Sequence, residues 1–410
     1  MSISEQPGLA ARLGRDGTAH MVGATGLAAV GAYLFQVVGG RVLGPVEFAP
    51  VTVLWTIQFL AFTVLLFPIE QFATRQLALG PDRLPGRVLG SAAGVIAAVA
   101  AGTVLFVWAT RERLFLGEGA FAGAAGLIVI GYGLFALGRG YLAGRRRFRA
   151  YGLVTGAESI SRLVAAGLVL ATIPSGLALT GTMALAPLAI LLWRPFREGE
   201  GEAADGGGLG RFLAGYVAAS AASQTILAGG PLVVAALGAS PAAVSVFFVT
   251  FTLFRGPLTM GYSLLARVLP PFTRVVADGD RARLRPWAVR LGVAGALLGA
   301  VGGLVGLVIG PAIVALLFGE QFRPEPLLAA LAVGGVVVGA AAMVGNQVLV
   351  ARNETPRLAV AWLAALAVAA VVLALAPGSP SLKTGAAFVA GEAAALAFVS
   401  AAIWKPPRSI

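Results

Sequence analysis

The chain of 410 residues contains no cysteine, which excludes disulfide bonds, thiolate metal sites and cysteine nucleophiles. Charge is also scarce, because only 12% of the residues are Asp, Glu, Lys or Arg, whereas about 25% is usual in soluble domains. Lysine occurs twice, so almost every positive charge is an arginine. This low fraction of charged residues excludes an ordinary soluble protein.

Long apolar runs take the place of the missing charge. Hydrophobic residues make up 58% of the chain, and a run of roughly 20 residues is long enough to cross about 30 Å of hydrocarbon. The sequence therefore predicts an all-α, polytopic membrane protein with twelve transmembrane helices and short loops. The predicted spans are 18–38, 47–70, 86–109, 120–142, 152–173, 175–193, 212–236, 242–266, 287–309, 325–350, 357–376 and 385–404.

Basic residues are distributed unevenly between alternate loops. If the N-terminus is inside, the inner segments carry 23 of the 30 Lys and Arg residues, counting Arg139 among them, and the outer loops carry five. This asymmetry predicts that both termini are cytoplasmic. It also explains the net charge of +12 without a nucleic-acid partner. The arginine-, alanine- and glycine-rich composition is typical of a GC-rich bacterial genome, so the cytoplasmic membrane of a bacterium is the expected location.

A polar, glycine-rich segment, 194–211, follows the sixth span and is predicted to be a flexible cytoplasmic linker. It divides the chain into an N-lobe, 1–193, and a C-lobe, 212–410, with six spans each. An even number of spans gives both lobes the same orientation in the membrane. Two parallel lobes around a central cavity are typical of transporters.

Arg255 lies in the eighth span and is followed by Gly256 and Pro257, two residues that weaken or bend a helix. A charge deep in the membrane costs at least ~2.5–3.5 kcal/mol on insertion scales, so we expect it to face a watery cavity or a partner. One interpretation is an anion-binding arginine at a helix break. The alternative is an arginine held by backbone carbonyls or by a carboxylate.

Other polar residues within the spans have two interpretations each. Glu158 and Arg162 are spaced i, i+4 and are able to pair, either for structure or in substrate binding and coupling. Glu70 and Arg75 follow Pro68 and either line the cytoplasmic mouth or lie on a solvated helix end.

Three further polar residues occur deep in the spans. Glu392 is a candidate proton carrier or a partner of an arginine. Gln58 and Asn346 are candidates for hydrogen bonds to a substrate or between helices. The sequence has no Walker motif, no HExxH and no cluster of metal ligands. We therefore predict a protein that is not an enzyme and needs no cofactor.

Four segments resemble the polysaccharide-biosynthesis family of Wzx-type oligosaccharide flippases. They are "GRVLGPVEFAPVTVLWTIQFLAFTVLLFPIEQFATRQLA" (40–78), "GYLAGRRRFRAYGLVTGAESISRLVAAGLVL" (140–170), "FRGPLTMGYSLLARVLPPFTR" (254–274) and "GNQVLVARNETPRLAVAW" (345–362). The resemblance covers nearly the whole chain and points to a superfamily that also holds the multidrug and toxin extruders.

The resemblance implies a flippase that moves a polyprenyl-diphosphate-linked glycan across the membrane by alternating access. It assigns the diphosphate to Arg255, with Arg162 and Arg75 as further candidates. Our candidates for coupling or gating are Glu158, Glu70, Glu392, Gly256 and Pro257. The expected partners are membrane lipids and the glycosyltransferases and polymerase of the same pathway, and the expected state is a monomer. The alternative function is cation-coupled multidrug export.

Overall fold

The computed structural model describes residues 18–79, 84, 86–193, 209–256, 281–352 and 354–404. The regular structure of these residues is helical throughout, without a strand. The α-helices are α1 (Thr18–Glu47), α2 (Ala49–Ala61), α3 (Phe67–Leu79), α4 (Gly86–Leu114), α5 (Ala120–Gly144), α6 (Phe148–Thr172), α7 (Gly176–Leu185), α8 (Leu209–Ala228), α9 (Gly230–Ala236), α10 (Pro241–Gly256), α11 (Arg281–Phe318), α12 (Pro326–Ala351), α13 (Thr355–Leu375) and α14 (Pro380–Trp404).

Within the described ranges, ten helical stretches are long and apolar enough to cross a membrane. They coincide with predicted spans one to six and nine to twelve. The seventh span is found as two helices, α8 and α9, which are separated at Gly229. The described part of the eighth span is α10, while Pro257 and the rest of that span lie outside the described residues. The prediction of an all-α, multi-pass membrane protein is therefore confirmed.

The chain forms two compact units. The first comprises residues 1–42 and 57–215, and the second comprises residues 43–56 and 216–410. The turn of the first helical hairpin, 43–56, thus packs with the C-terminal helices, although the N-lobe predicted from the sequence, 1–193, includes it. The linker at 194–211 stays a prediction, because most of it lies outside the described residues.

A kink at Gly44, near the end of α1, forms the corner that leads into α2. The φ of Gly44, 71°, is in the left-handed region that glycine adopts without steric cost, and Pro45 follows it directly. Phe48, just beyond the corner, is fully buried and packs edge-on against Phe322 with a centroid distance of 6.3 Å. This aromatic contact ties the corner to the second unit.

The second membrane span contains a π-helical segment, Phe62–Leu66, between α2 and α3. The N–H of Phe67 donates to the carbonyl oxygen of Phe62, a bond of the i to i−5 type. Pro68 comes next and has no N–H to continue the α-helical ladder. A proline at this position explains why the helix widens here, and such segments are frequent at functional sites.

Candidate functional site

A buried triad of Glu158, Arg162 and Tyr132 lies inside the first unit. Arg162 Nη1 is 2.9 Å from Glu158 Oε1, and the hydroxyl of Tyr132 donates to the same carboxylate oxygen at 2.7 Å. Arg162 Nη1 also donates to the Tyr132 hydroxyl at 2.6 Å. The guanidinium lies 5.5 Å from the ring centroid of Phe35. The predicted i, i+4 ion pair therefore forms and gains a phenol from the neighbouring helix α5.

A second triad in the same unit repeats these residue types with Glu70, Arg139 and Tyr151. Glu70 Oε1 accepts hydrogen bonds from Arg139 Nη2 at 3.0 Å and from the Tyr151 hydroxyl at 2.9 Å. Arg139 Nη2 also donates to the Tyr151 hydroxyl. Glu70 is only 2% exposed, so it does not lie on a solvated helix end, which was one of the two interpretations from the sequence.

The two triads are arranged along the same pair of helices. Tyr132 and Arg139 are seven residues apart on α5, and Tyr151 and Glu158 are seven apart on α6. Seven residues are two helical turns, so each pair lies on one face of its helix, about 10 Å apart. The ring of Phe62 contacts both triads. It packs edge-on against the ring of Tyr132 with a centroid distance of 6.0 Å, and its centroid lies 5.8 Å from the guanidinium of Arg139.

Each triad is electrically neutral when its glutamate and arginine are both ionised. This pairing offsets the cost of removing both charges from water, which a single buried ion would bear alone. The second triad also has unused capacity. Among the described residues, Glu70 Oε2 and Arg139 Nε are buried without a hydrogen-bond partner. One acceptor and one donor therefore remain for water or a ligand.

Arg255 is buried in the second unit and donates from Nη1 to the carbonyl oxygen of Leu227 at 2.8 Å. In a continuous α-helix this carbonyl would accept from residue 231, but Pro231 has no N–H. Arg255 thus satisfies an acceptor that the proline leaves without its helical donor. This contact matches the interpretation in which backbone carbonyls hold Arg255. The anion-binding role stays a prediction.

Glu392 lies in α14 of the second unit and is fully buried, with 0% exposure. Neither carboxylate oxygen has a hydrogen-bond partner among the described residues. Its neighbour across the helix interface is Gly339 of α12, where an added Cβ would lie 2.7 Å from Glu392 Oε2. The sequence predicted that Glu392 either carries a proton or pairs with an arginine, and no such pair is found among the described residues.

No family model matches this sequence, and no curated protein matches it. Solved structures match over nearly the full chain. An inward-facing multidrug resistance MATE transporter of the MOP superfamily is 14% identical, has a TM-score of 0.59, and is matched over 90% of this chain and 94% of its own. A eukaryotic MATE transporter is 12% identical, with a TM-score of 0.57 and coverages of 96% and 95%. A MOP superfamily transporter from Pyrococcus furiosus is 13% identical, with a TM-score of 0.56 and coverages of 95% and 94%.

This chain has the MATE transporter fold. The fold that the sequence resemblance implied is thus found, while membership of the superfamily and of the Wzx-type family stays a prediction.

The remaining predicted residues occupy varied positions in the MATE fold. Arg75 is exposed on α3. Gln58 is half-buried, and its Oε1 has no partner among the described residues. Asn346 Oδ1 accepts a hydrogen bond from the indole of Trp362 at 3.3 Å, which is the interhelical alternative. Gly256 is buried at the end of α10, and Pro257 lies outside the described residues.

The sequence analysis missed Tyr132, Arg139 and Tyr151 as site residues, and it counted Arg139 with the inner loops. The structure corrects this assignment, because Arg139 lies within α5 with its side chain only 13% exposed. One signal for the triads was available. In two adjacent apolar spans, polar residues recur at a spacing of seven, as Tyr132 with Arg139 and Tyr151 with Glu158.

Proposed function

We propose that this protein is a cation-coupled exporter of organic cations or amphipathic drug-like molecules and that it works by alternating access. The observation that carries the proposal is the balance of buried charge. Arg139 and Arg162 are each neutralised by a glutamate, and Arg255 donates to a backbone carbonyl. Buried carboxylate oxygens are left over, at Glu70 and Glu392. In the first unit, where both buried arginines are already paired, an unpartnered carboxylate oxygen favours a hydrogen-bond-donating cation over a diphosphate.

Buried amides add uncharged hydrogen-bonding capacity to the first unit. Gln36 is 1% exposed, and neither of its amide atoms has a partner in the described part of the chain. Gln58 Oε1 is in the same situation. Buried polar atoms in native proteins are almost always satisfied, so these amides are candidates for water or substrate contacts. Neutral amides accommodate many amphipathic molecules but do not select an anion.

The similar structures support the same proposal. One of them is described as a multidrug resistance transporter of the MATE family, in its inward-facing conformation. Alternating access needs two lobes and a binding site open to one side at a time, and the two compact units of this chain are the candidates for these lobes. The proposed transport involves no covalent change in the substrate.

Transport of ethidium by the purified protein tests this proposal. In proteoliposomes with an imposed proton or sodium gradient, we expect the protein to accumulate ethidium. We expect Glu70→Gln to lower this accumulation, because the second triad loses its only negative charge and keeps the charge of Arg139. Glu320→Gln, at an exposed position between α11 and α12, is the matched control and should transport normally. Absence of gradient-driven ethidium uptake by the wild-type protein would refute drug export.

Flipping of a polyprenyl-diphosphate-linked glycan is the second candidate function. Two observations favour it: the four-segment sequence resemblance and the exposure of Arg75 on α3. A MOP superfamily transporter with a reverse polarity of its binding pocket, taken to suggest a different function, is among the similar structures. Arginine suits a diphosphate because its planar fork forms bidentate, charge-assisted hydrogen bonds.

The flippase hypothesis predicts a different result with the same preparation. Proteoliposomes should expose a polyprenyl-diphosphate oligosaccharide from the inner leaflet to a hydrolase added outside. Arg75→Ala should abolish this exposure, whereas ethidium transport should be unaffected. If the wild-type protein moves the lipid-linked glycan and not ethidium, the flippase replaces the exporter as the assigned function.

A further inference from the structure

The interface between α12 and α14 is a close-packed seam of glycines in which a single carboxyl group is buried. Gly335 faces the ring of Phe388, Gly339 faces Glu392, and Gly345 faces Val399. Phe388, Glu392 and Val399 follow each other along α14 in the same order as the three glycines along α12. Side chains of α14 therefore pack against the backbone of α12 over several turns. Glu392 occupies the middle of this seam with 0% exposure and no described hydrogen-bond partner.

An ionised carboxylate is poorly accommodated at this position. Transfer of an unpaired carboxylate to an apolar interior is so costly that the group becomes neutral instead. Across the seam, Gly339 offers no side-chain donor, and an added Cβ at this position would already lie 2.7 Å from Glu392 Oε2. The described geometry therefore fits a protonated carboxylic acid.

The charged groups on the elements around α14 lie at other levels, with one exception. Helix α9 carries none and α12 carries none within its range. The contact of Gly292 with Ser400 places the basic start of α11, with Arg290, two turns or more from Glu392.

Charged groups near the two ends of α14 are also distant from Glu392. Arg352 donates to the carbonyl of Ile403, which is 11 residues after Glu392, or about 16 Å along the helix. Arg357 of α13 is beside this end too, since Ala361 packs with Val399 and Ile403. Lys383 precedes Glu392 on α14 by nine residues, about 13 Å, and Arg211 of α8 lies 15 residues from Ile226.

Arg255 is the exception, because three contacts bring α10 and α8 to the level of Glu392. Phe251 packs edge-on against Phe388 at 5.2 Å, and Arg255 and Glu392 each follow these rings by one turn. An added Cβ at Gly391 would lie 3.1 Å from Ile226, whose neighbour Leu227 accepts the hydrogen bond from Arg255. Arg255 is thus the basic residue whose level along the helices matches that of Glu392, and its Nη1 donates to the Leu227 carbonyl.

We propose that Glu392 is the residue that binds the transported proton in the second unit, and that it releases this proton only when the α12–α14 seam admits water. In the release step the O–H bond of the carboxylic acid breaks and the proton passes to water, leaving a carboxylate that the water admitted to the seam hydrates. Uptake of a proton from the opposite side restores the acid and allows the seam to close. The proposal rests on the proposed function, because it names the proton as the coupling ion of the exporter.

Infrared difference spectroscopy of the purified protein tests the protonation directly and does not depend on any transported substrate. We expect the wild-type protein at neutral pH to show the C=O band of a protonated carboxyl group that Glu392→Gln lacks, and alkaline pH to remove this band. Glu392→Gln keeps the size and neutrality of the acid, so it should fold. Identical protonated-carboxyl bands in the two proteins would overturn the proposal.

Transport by the same variants tests the coupling. With a pH gradient, Glu392→Gln should lose ethidium accumulation, while ethidium exchange without a gradient should continue. The control Glu320→Gln should retain both activities. Accumulation by Glu392→Gln at the wild-type level would overturn the proposal. If the wild-type protein does not transport ethidium at all, drug export fails, whereas the infrared band still decides whether Glu392 binds a proton.

Discussion

At the scale of single residues, the partner of each buried arginine decides what that arginine is able to do. A guanidinium that pairs with a glutamate in a buried helix interface has already exchanged much of its hydration for protein contacts. Recruiting it for a substrate phosphate would leave the glutamate behind as an unpaired charge. Arg139 and Arg162 both stand in this position. Their pairing is therefore the strongest physical argument against a cationic cavity in the first unit.

Removal of one member of the first triad should be strongly destabilising. Glu158→Ala leaves the buried guanidinium of Arg162 without its countercharge, and breaking a buried pair in this way costs about 3–5 kcal/mol. We expect a clear fall in the midpoint of thermal unfolding in detergent, measured by size-exclusion chromatography after heating.

The double variant Glu158→Ala/Arg162→Met should recover part of this loss, because it removes both charges together. Recovery should be incomplete, since the Tyr132 hydroxyl would lose its partners, at a cost of about 1–3 kcal/mol. Glu320→Ala breaks an ion pair in an exposed loop and should leave the midpoint unchanged. Equal midpoints for Glu158→Ala and Glu320→Ala would contradict the structural importance of the triad.

The role of Arg255 is separable from that of a substrate ligand by a double-mutant cycle. Arg255→Ala should cost about 1–3 kcal/mol, because the buried carbonyl of Leu227 loses its donor. In the Pro231→Ala background, residue 231 has an N–H that is able to donate to this carbonyl, so the same substitution should cost less. Thermal unfolding of the four proteins measures the coupling. Equal costs in both backgrounds would show that Arg255 does not substitute for the missing helical donor.

At the scale of helices, hydropathy predicts the spans well because membrane insertion depends mainly on the length and apolar composition of a segment. The spans found at 86–114 and 120–144 follow directly from it. The π-helical segment in the second span was not predicted, since its residues, "FTVLL", are ordinary membrane residues and the following Pro68 indicates a disturbed helix but not a π-helical one. Arg139 was misassigned for a similar reason: its position near a helix end is typical of an interfacial arginine, and only tertiary contact with Glu70 shows otherwise.

The π-helical segment should tolerate a deletion that the adjoining α-helix does not. A π-helix closes its bonds over five residues instead of four, so deletion of Thr63 should convert the segment into regular α-helix and keep α2 and α3 in register. Deletion of Thr56, in α2, should rotate the two ends of the span relative to each other by about 100°. That rotation would separate Glu70 from Arg139 and Tyr151.

The two threonines form a matched pair, because each hydroxyl donates to the carbonyl four residues earlier, at 2.8 Å for Thr63 and 2.9 Å for Thr56. Expression level and the monodispersity of the detergent-solubilised protein are the measurements. We expect deletion of Thr63 to give folded protein and deletion of Thr56 to give aggregate. Equal aggregation of both variants would mean that the π-helical segment is not an inserted residue in an α-helix.

At the scale of the whole molecule, sequence patterns predicted the class of fold but not which side chains meet. The triads draw on α3, α5 and α6, and the pairing of Glu70 with Arg139 joins residues 69 positions apart. Local spacing, such as i, i+4, gave only the pair of Glu158 and Arg162. The substrate is still less accessible, because flippases and extruders are expected to share this architecture and to differ in a few buried charges.

The orientation of the molecule in the membrane is a prediction that the absence of cysteine makes easy to test. Single cysteines at Glu118 and Glu320 would lie in predicted outer loops, and one at Arg146 would lie in a predicted inner loop; all three positions are exposed. If the basic loops are cytoplasmic, a membrane-impermeant maleimide added to intact cells should label the first two and not the third. Labelling at Arg146 should appear once the cells are lysed. The opposite pattern in intact cells would place both termini outside and reverse the direction of any export that this protein performs.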